Sequence, residues 1–198
     1  ISQTRKQIPY LFMLEYAQWM QFVSLGISPA IMCGHSLGEL IALCLAGVDD
    51  EKAAWLLFEK RAEHITKLEK KSANETGMLA VHAEESIINA TLAQWPSLAL
   101  ANRNTKQQFI LGGPKPDLMA ARKSLRRQRI PALMINVPLA FHNPAMRILR
   151  DFSIRRLKAL EMHHPRVPVF SNVPAGFYPE SPEEICRFIV DLDENAVA

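Results

Sequence analysis

Gly34-His35-Ser36-Leu37-Gly38 is the stretch of this sequence with the clearest capacity for chemistry. A G-x-S-x-G pentapeptide that follows a short apolar strand and opens a helix reads as a nucleophile elbow. Its glycines let the chain turn tightly, because side chains at either position would collide with the neighbouring strand and helix. The turn presents the Ser36 hydroxyl beyond the sheet edge. It also aims the helix N-terminus, with the Leu37 N–H, at an oxyanion forming on a substrate. A serine hydroxyl is a weak nucleophile until a base takes its proton. Six histidines could serve: His35, His64, His82, His142, His163 and His164. His35 adjoins the nucleophile on a sharp turn and points elsewhere. His64 lies on a charged helix face and His82 in a strand. The pair His163-His164 lacks helical ligand spacing, so no metal site is expected. His142 stands in a loop, Leu139-Ala140-Phe141-His142-Asn143-Pro144, and loops carry function more often than the elements they join. Arg61 lies on the second helix after the serine; taken alone, it reads as a surface cation.

The elements that must position these residues follow from periodicity. Ile8–Leu25 has apolar residues at mixed three- and four-residue spacings and then Gly26, which predicts a helix and its stop. Ala30–Cys33 reads as a short buried strand, Glu39–Ala46 as a helix, and Asp50–Lys71 as a longer one with Ala53, Ala54, Leu56, Leu57, Ala62 and Ile65 as buried candidates. From Met78 to Val137 the order is strand, helix, strand, strand, helix, strand, the ferredoxin-like pattern. In the second of those helices Leu118, Ala121 and Leu125 are spaced to face the sheet. The expected organisation is a core of residues 1–76 and 138–198 with an insert at 77–137. Beyond it, Pro144–Leu160 reads as helix, Val167–Asn172 as strand and Glu183–Asp191 as a last helix.

The chain has 198 residues, 48% hydrophobic and 22% charged, which excludes wholesale disorder, collagen-like and disulfide-scaffold classes. Apolar runs such as Leu40–Val48 fall well short of the ~18 residues a membrane helix needs. Cys33, Cys44 and Cys186 have no C-x-x-C spacing and read as reduced, buried thiols of a cytoplasmic protein. The first residue is Ile1 and no charged segment precedes an apolar one, so no signal peptide is expected and the chain reads as starting within a longer polypeptide. A net charge of +3 is too small to argue for nucleic acid. The charge is uneven, however. Ten basic residues lie between Arg122 and Lys158 against one acid, Asp151.

Together these residues carry a resemblance. The chain resembles the malonyl-CoA:acyl carrier protein transacylases and the acyltransferase domains of polyketide and fatty acid synthases. The matching segments are G-H-S-L-G-E at Gly34–Glu39, A-G-V at Ala46–Val48, Arg61 in its helix, A-F-H-N-P-A-M at Ala140–Met146 and S-N-V at Ser171–Val173. The resemblance implies an α/β fold: a parallel-sheet, hydrolase-like acyltransferase core with a ferredoxin-like insert. It implies Ser36 as nucleophile and His142 as general base, with Arg61 clamping the free carboxylate of a malonyl group in two parallel hydrogen bonds. Asn172 becomes a residue near the substrate and the histidine. Phe141 in Leu139-Ala140-Phe141-His142 favours malonyl over methylmalonyl, although Leu139 departs from the family's pattern. The family's Gly-Gln-Gly and Gly-Pro-Gly segments have no counterpart among these residues. Malonyl-CoA is then the substrate, with no bound cofactor. The partner is an acyl carrier protein bearing phosphopantetheine and meeting the basic band from Arg122 to Lys158. An acyl-thioester hydrolase of the same fold and a non-catalytic docking domain are the alternatives.

Overall fold

The structure is a computed structural model that describes residues 3–71, 75–137, 139–159, 161–173 and 176–197. Pro138 and Leu160, where the sequence reading ended the insert and a helix, lie outside the described residues, as does Ile1. In chain order the elements are α1 (Gln3–Ser24), β1 (Met32–Cys33), α2 (Leu37–Leu45), α3 (Glu51–Lys71) and β2 (Thr76–His82). Next come α4 (Glu85–Gln94), β3 (Ala99–Arg103), β4 (Gln108–Pro114), α5 (Lys115–Arg127) and β5 (Ala132–Ile135). A 3-10 turn at Pro144–Leu149 leads into α6 (Arg150–Leu157), β6 (Val169–Ser171), β7 (Gly176–Phe177) and α7 (Pro182–Glu194). They form two compact units, residues 1–68 with 151–190 and residues 69–150 with 191–198.

In the first unit β6 is the middle strand of three, parallel to β1 and antiparallel to β7. Phe12 of α1 stacks on Phe58 of α3 at 4.7 Å between ring centroids. Asp50 caps α3 by accepting the Ala53 N–H at 2.8 Å, satisfying one of the donors every helix start leaves over. Three details differ from the sequence expectation. Leu56 is exposed rather than buried, because the covered side of α3 runs through Ala54, Phe58, Ala62 and Ile65. Cys33 is exposed, since β1 is an outer strand with β6 on one side. The segment after Pro144 begins as a 3-10 turn, with the Met146 N–H on the Asn143 carbonyl at 2.8 Å.

Burial explains the chemistry of the remaining thiols. It pushes the Cys44 thiol far up, with the Asp49 carboxylate adding to the effect, and it raises Cys186 in the same way. Both therefore hold their protons at neutral pH, although Cys44 and Cys186 are half-buried rather than fully covered as the sequence reading expected. Asp49 itself is raised to about 6, mainly by burial and by neighbouring Asp50, with His163 opposing.

The second unit has a four-stranded antiparallel sheet in the order β3-β4-β2-β5. As the spacing predicts, Leu118, Ala121 and Leu125 of α5 are buried with Leu79, Val81, Phe109 and Leu111 of the sheet. The chain end adds to this sheet: Arg103 donates its N–H to the Val197 carbonyl at 2.8 Å, and Val197 donates to Ala101 at 2.9 Å. This unit extends past the expected 77–137 to include the His142 loop and the last turn of α7. Glu194, almost fully buried, accepts two hydrogen bonds from Arg150 at 2.6 and 3.0 Å and one from Arg147 at 3.3 Å.

Candidate active site

Ser36 sits between β1 and α2 with φ 57° and ψ −117°. A non-glycine residue there costs about 1–3 kcal/mol, and such strain persists only where the surroundings enforce it. The enforcement comes from Gly34. A Cβ on Gly34 would overlap the backbone of Gly38 and the nitrogen of Glu39, so the strand passes the first turn of α2 at a distance only glycine allows. Gly38 is different from the sequence expectation: nothing lies within 4 Å of a Cβ built on it. The first glycine makes the elbow and the second does not. Leu37 is the first residue of α2, and the first N–H groups of a helix have no partner within it.

Beneath the elbow lies a network that sequence reasoning did not assemble. Glu39, 0% exposed, accepts the Asn172 backbone N–H at 3.0 Å, the Asn172 side-chain amide at 2.7 Å and the Tyr178 hydroxyl at 2.7 Å. The same Asn172 amide donates to the Gly34 carbonyl at 2.6 Å. A carboxylate removed from water is tolerated only when it is paired or hydrogen-bonded, and here three donors from the β6–β7 region hold the N-terminus of α2. The sequence signal was available in Glu39 itself, an acid beside the apolar run Leu40–Val48 that had to find donors. Glu39→Gln replaces an acceptor by a group whose NH2 confronts donors, an expected loss of about 2 kcal/mol. Differential scanning calorimetry should show Tm falling by roughly 4–8 °C; an unchanged Tm would mean the network does not hold the elbow.

Arg61 lies half-buried on α3 in the same unit. One turn further along α3, His64 stacks on Phe152 of α6, 4.3 Å between centroids and 12° between planes, so His64 has a packing role. His35 is exposed, as are His163 and His164. Among the described residues no group of three or more His, Cys, Asp or Glu is placed to hold a metal ion.

His142 belongs to the second unit. It is 6% exposed with a positive φ of 54°, and its Nδ1 lies 2.7 Å from the Leu192 carbonyl of α7. A carbonyl oxygen only accepts, so the proton is on Nδ1, and in the neutral ring Nε2 carries the lone pair. The fold therefore fixes the basic tautomer through a backbone oxygen. The loop is held close to the sheet: Asn143 donates to the Gly112 carbonyl at 3.2 Å, Ala140 donates its N–H to Thr76 at 3.3 Å, and a Cβ on Gly112 would meet Ala140 at 3.3 Å. Phe141 packs on Met78, Ala101 and Ile110.

Several residues of the basic band have partners while remaining exposed. Arg147 and Arg150 are tied to Glu194, and Arg156 lies over the Phe152 ring at 5.7 Å. Arg126, Arg127 and Arg129, at and just beyond the end of α5, are exposed.

A strained serine between a parallel strand and a helix start is a nucleophile elbow, and the mixed α/β architecture around it is that of an acyltransferase fold. The chain belongs to the acyl transferase domain family, which it matches over residues 1–183. It is 31% identical over 198 residues to an orsellinic acid synthase of Beauveria bassiana, an alignment covering 93% of this chain and 9% of that protein. The chain thus spans about a tenth of the length of that curated relative. Among solved structures it is similar to the malonyl CoA-acyl carrier protein transacylase of Coxiella burnetii, with TM-score 0.90, 25% identity, and coverage of 98% of this chain and 63% of that one. It is also similar to a malonyl-transacylase solved with a type II polyketide synthase acyl carrier protein, with TM-score 0.87, 28% identity, and coverage of 98% and 64%. It is an acyl transferase domain of the transacylase and polyketide synthase type. No helix among the described residues is long and apolar enough to cross a membrane.

Proposed function

We propose that this domain moves a malonyl group from CoA to the pantetheine thiol of an acyl carrier protein through an ester on Ser36. The observation that carries this is the backbone strain at Ser36 enforced by Gly34, which has no purpose in a purely structural turn. In the first half-reaction Ser36 Oγ attacks the thioester carbonyl carbon while its proton passes to His142 Nε2. The Leu37 N–H stabilises the oxyanion. Collapse breaks the C–S bond, and His142 returns the proton to the departing CoA sulfur. In the second, the carrier thiol gives its proton to His142 and attacks the ester. The C–O bond then breaks, and Ser36 takes the proton back. No step needs a metal or a bound redox cofactor; the phosphopantetheine arrives on the partner.

Arg61 is assigned the malonyl carboxylate, because a planar guanidinium forms two parallel bonds to it. Phe141 narrows the acyl site in favour of malonyl, and Asn172 supports the elbow through Gly34 and Glu39. The fold reading is a hydrolase-like core with a ferredoxin-like insert at 77–137, the insert sharing one compact unit with residues 69–76, 138–150 and 191–198. It is supported by the parallel β1–β6 pairing and by the order β3-β4-β2-β5 of the antiparallel sheet. A carrier partner is supported by the complex of the similar malonyl-transacylase with its carrier protein. Free Cys33, Cys44 and Cys186 suit a reducing cytoplasm.

The test is intact-protein mass after brief mixing with malonyl-CoA or acetyl-CoA. Wild type should gain a malonyl adduct, and Arg61→Ala should lose malonyl loading by about 100-fold or more while acetyl loading stays equal or improves. Normal malonyl loading by Arg61→Ala would remove the clamp assignment. Release of CoA without an adduct would favour a hydrolase.

A further inference from the structure

His142 and Leu192, whose hydrogen bond fixes the basic nitrogen, lie on two segments that are joined a second time a few residues further on. Arg147 and Arg150 follow His142 by five and eight residues, in the turn and the helix start that continue its loop, and Glu194 follows Leu192 by two. Arg150 sets two guanidinium nitrogens on the Glu194 carboxylate, Nε on Oε1 at 2.6 Å and Nη2 on Oε2 at 3.0 Å. Arg147 Nε reaches Oε2 at 3.3 Å. All five residues belong to the second unit. The Glu194 side chain is 5% exposed, whereas those of Arg147 and Arg150 are 73% and 46% exposed. The arginines thus reach in from solvent to a carboxylate that the fold has buried. Such a pair adds little net stability, because taking the carboxylate out of water offsets most of the attraction. What the bidentate contact adds is geometry, since two parallel bonds fix distance and angle together.

That geometry bears on Leu192. It is the third residue from the end of α7, and the last four carbonyls of a helix have no partner within it. The Asp191 carbonyl takes the Asn195 N–H at 3.0 Å, while the Leu192 carbonyl takes His142 Nδ1. Beyond Glu194 the chain leaves the helix, and Val197 pairs with β3. Successive carbonyls stand about 100° apart around a helix axis, and helix ends fray. A small rotation or fraying of this last turn moves the Leu192 oxygen off Nδ1.

Resting on the transfer reaction proposed above, we propose that Glu194, held by Arg150 and Arg147, is a positioning residue for the base. It pins the last turn of α7, so that the Leu192 carbonyl keeps the proton of neutral His142 on Nδ1 and the lone pair on Nε2. Its action passes through a backbone oxygen and the imidazole, not through the substrate.

The experiment uses three variants of the intact protein. Glu194→Gln removes the charge and one acceptor oxygen. Arg150→Lys keeps the charge and gives up the two parallel bonds. Glu85→Gln makes the first change in an exposed arginine pair of the same unit, that of Glu85 with Arg103. Imidazole 15N spectra, recorded where the ring is neutral, read the tautomer without any substrate; the His142 signals are those missing from His142→Gln. In wild type and Glu85→Gln, Nε2 should stand at the unprotonated position and Nδ1 at the protonated one. In Glu194→Gln the two should move toward a common average. Single-turnover loading from malonyl-CoA and transfer to holo acyl carrier protein should both slow about ten- to a hundredfold in Glu194→Gln, and by a smaller factor in Arg150→Lys. The malonyl-CoA concentration giving half the maximal rate should not change. Glu85→Gln should stay within about twofold of wild type. Unchanged nitrogen positions in both Glu194→Gln and Arg150→Lys, whatever their rates, would overturn the positioning role. So would averaged nitrogens with both rates at the wild-type level. If Glu194→Gln does not fold, Arg150→Lys decides by the same two readouts. Wild type that never self-acylates would overturn the transfer reaction, while the nitrogen positions still test the hold on His142.

Discussion

Ser36→Ala gives no acyl-enzyme and no CoA release, a fall on the order of a million-fold. The size follows from the elbow. The Gly34 contact holds Ser36 at φ 57°, and alanine in its place leaves the elbow without the hydroxyl that would form the ester. The fold should tolerate the change, because the strain resides in the backbone and alanine bears it as serine does. Thermal unfolding within a few degrees of wild type, together with an absent mass adduct, is the expected pair of results. An adduct of unchanged stoichiometry on Ser36→Ala would place the nucleophile elsewhere. Cys33, the exposed cysteine just before the elbow, is the residue to examine in that event.

His142→Ala lowers both half-reactions by roughly 10,000-fold, the scale expected when a general base paired with a nucleophile is removed. The Leu192 carbonyl at 2.7 Å leaves Nε2 as the basic nitrogen before any substrate arrives. Single-turnover loading with malonyl-CoA and single-turnover transfer from malonyl-enzyme should both slow, since the same nitrogen accepts a proton in each. Slowing of the transfer step alone would show that some other base serves the first. Deleting a ring that is 6% exposed also opens a cavity. His142→Gln, which retains bulk and a side-chain donor, should be as inactive and closer to wild type in Tm.

Local geometry was written in the sequence. The spacing of Leu118, Ala121 and Leu125 identified the buried stripe of α5, and Gly34 with Ser36 identified the strand-to-helix turn. Periodicity and tight turns depend on residues a few positions apart. Which surface a neighbour covers does not. The apolar spacing of α1 predicted a helix, yet Ile8 and Phe12 are its buried residues while Tyr10, Leu14, Phe22 and the following Leu25 are exposed. Leu56 and Cys33 were assigned to the interior by type, and each faces outward because packing partners lie on the other side.

The site shows the same division. Ser36 and His142 stood out as residue types within motifs, and Arg61 only through the family resemblance, whereas the partners around Ser36 and His142 come from distant chain. Tyr178 reaches Glu39 across 139 residues, and Leu192 reaches His142 across 50. Nothing in the type of Leu192 could announce its part, since it acts through a backbone oxygen that every residue has. Within the basic band, continuous in sequence, Arg147 and Arg150 pair with Glu194, which lies 44 to 47 residues away, and Arg156 lies over the Phe152 ring. The sequence alone determined which groups could react. The tertiary structure decided which nitrogen of His142 is basic and which distant residues hold the Ser36 turn, because hydrogen bonds and burial act through space between groups the chain order keeps apart.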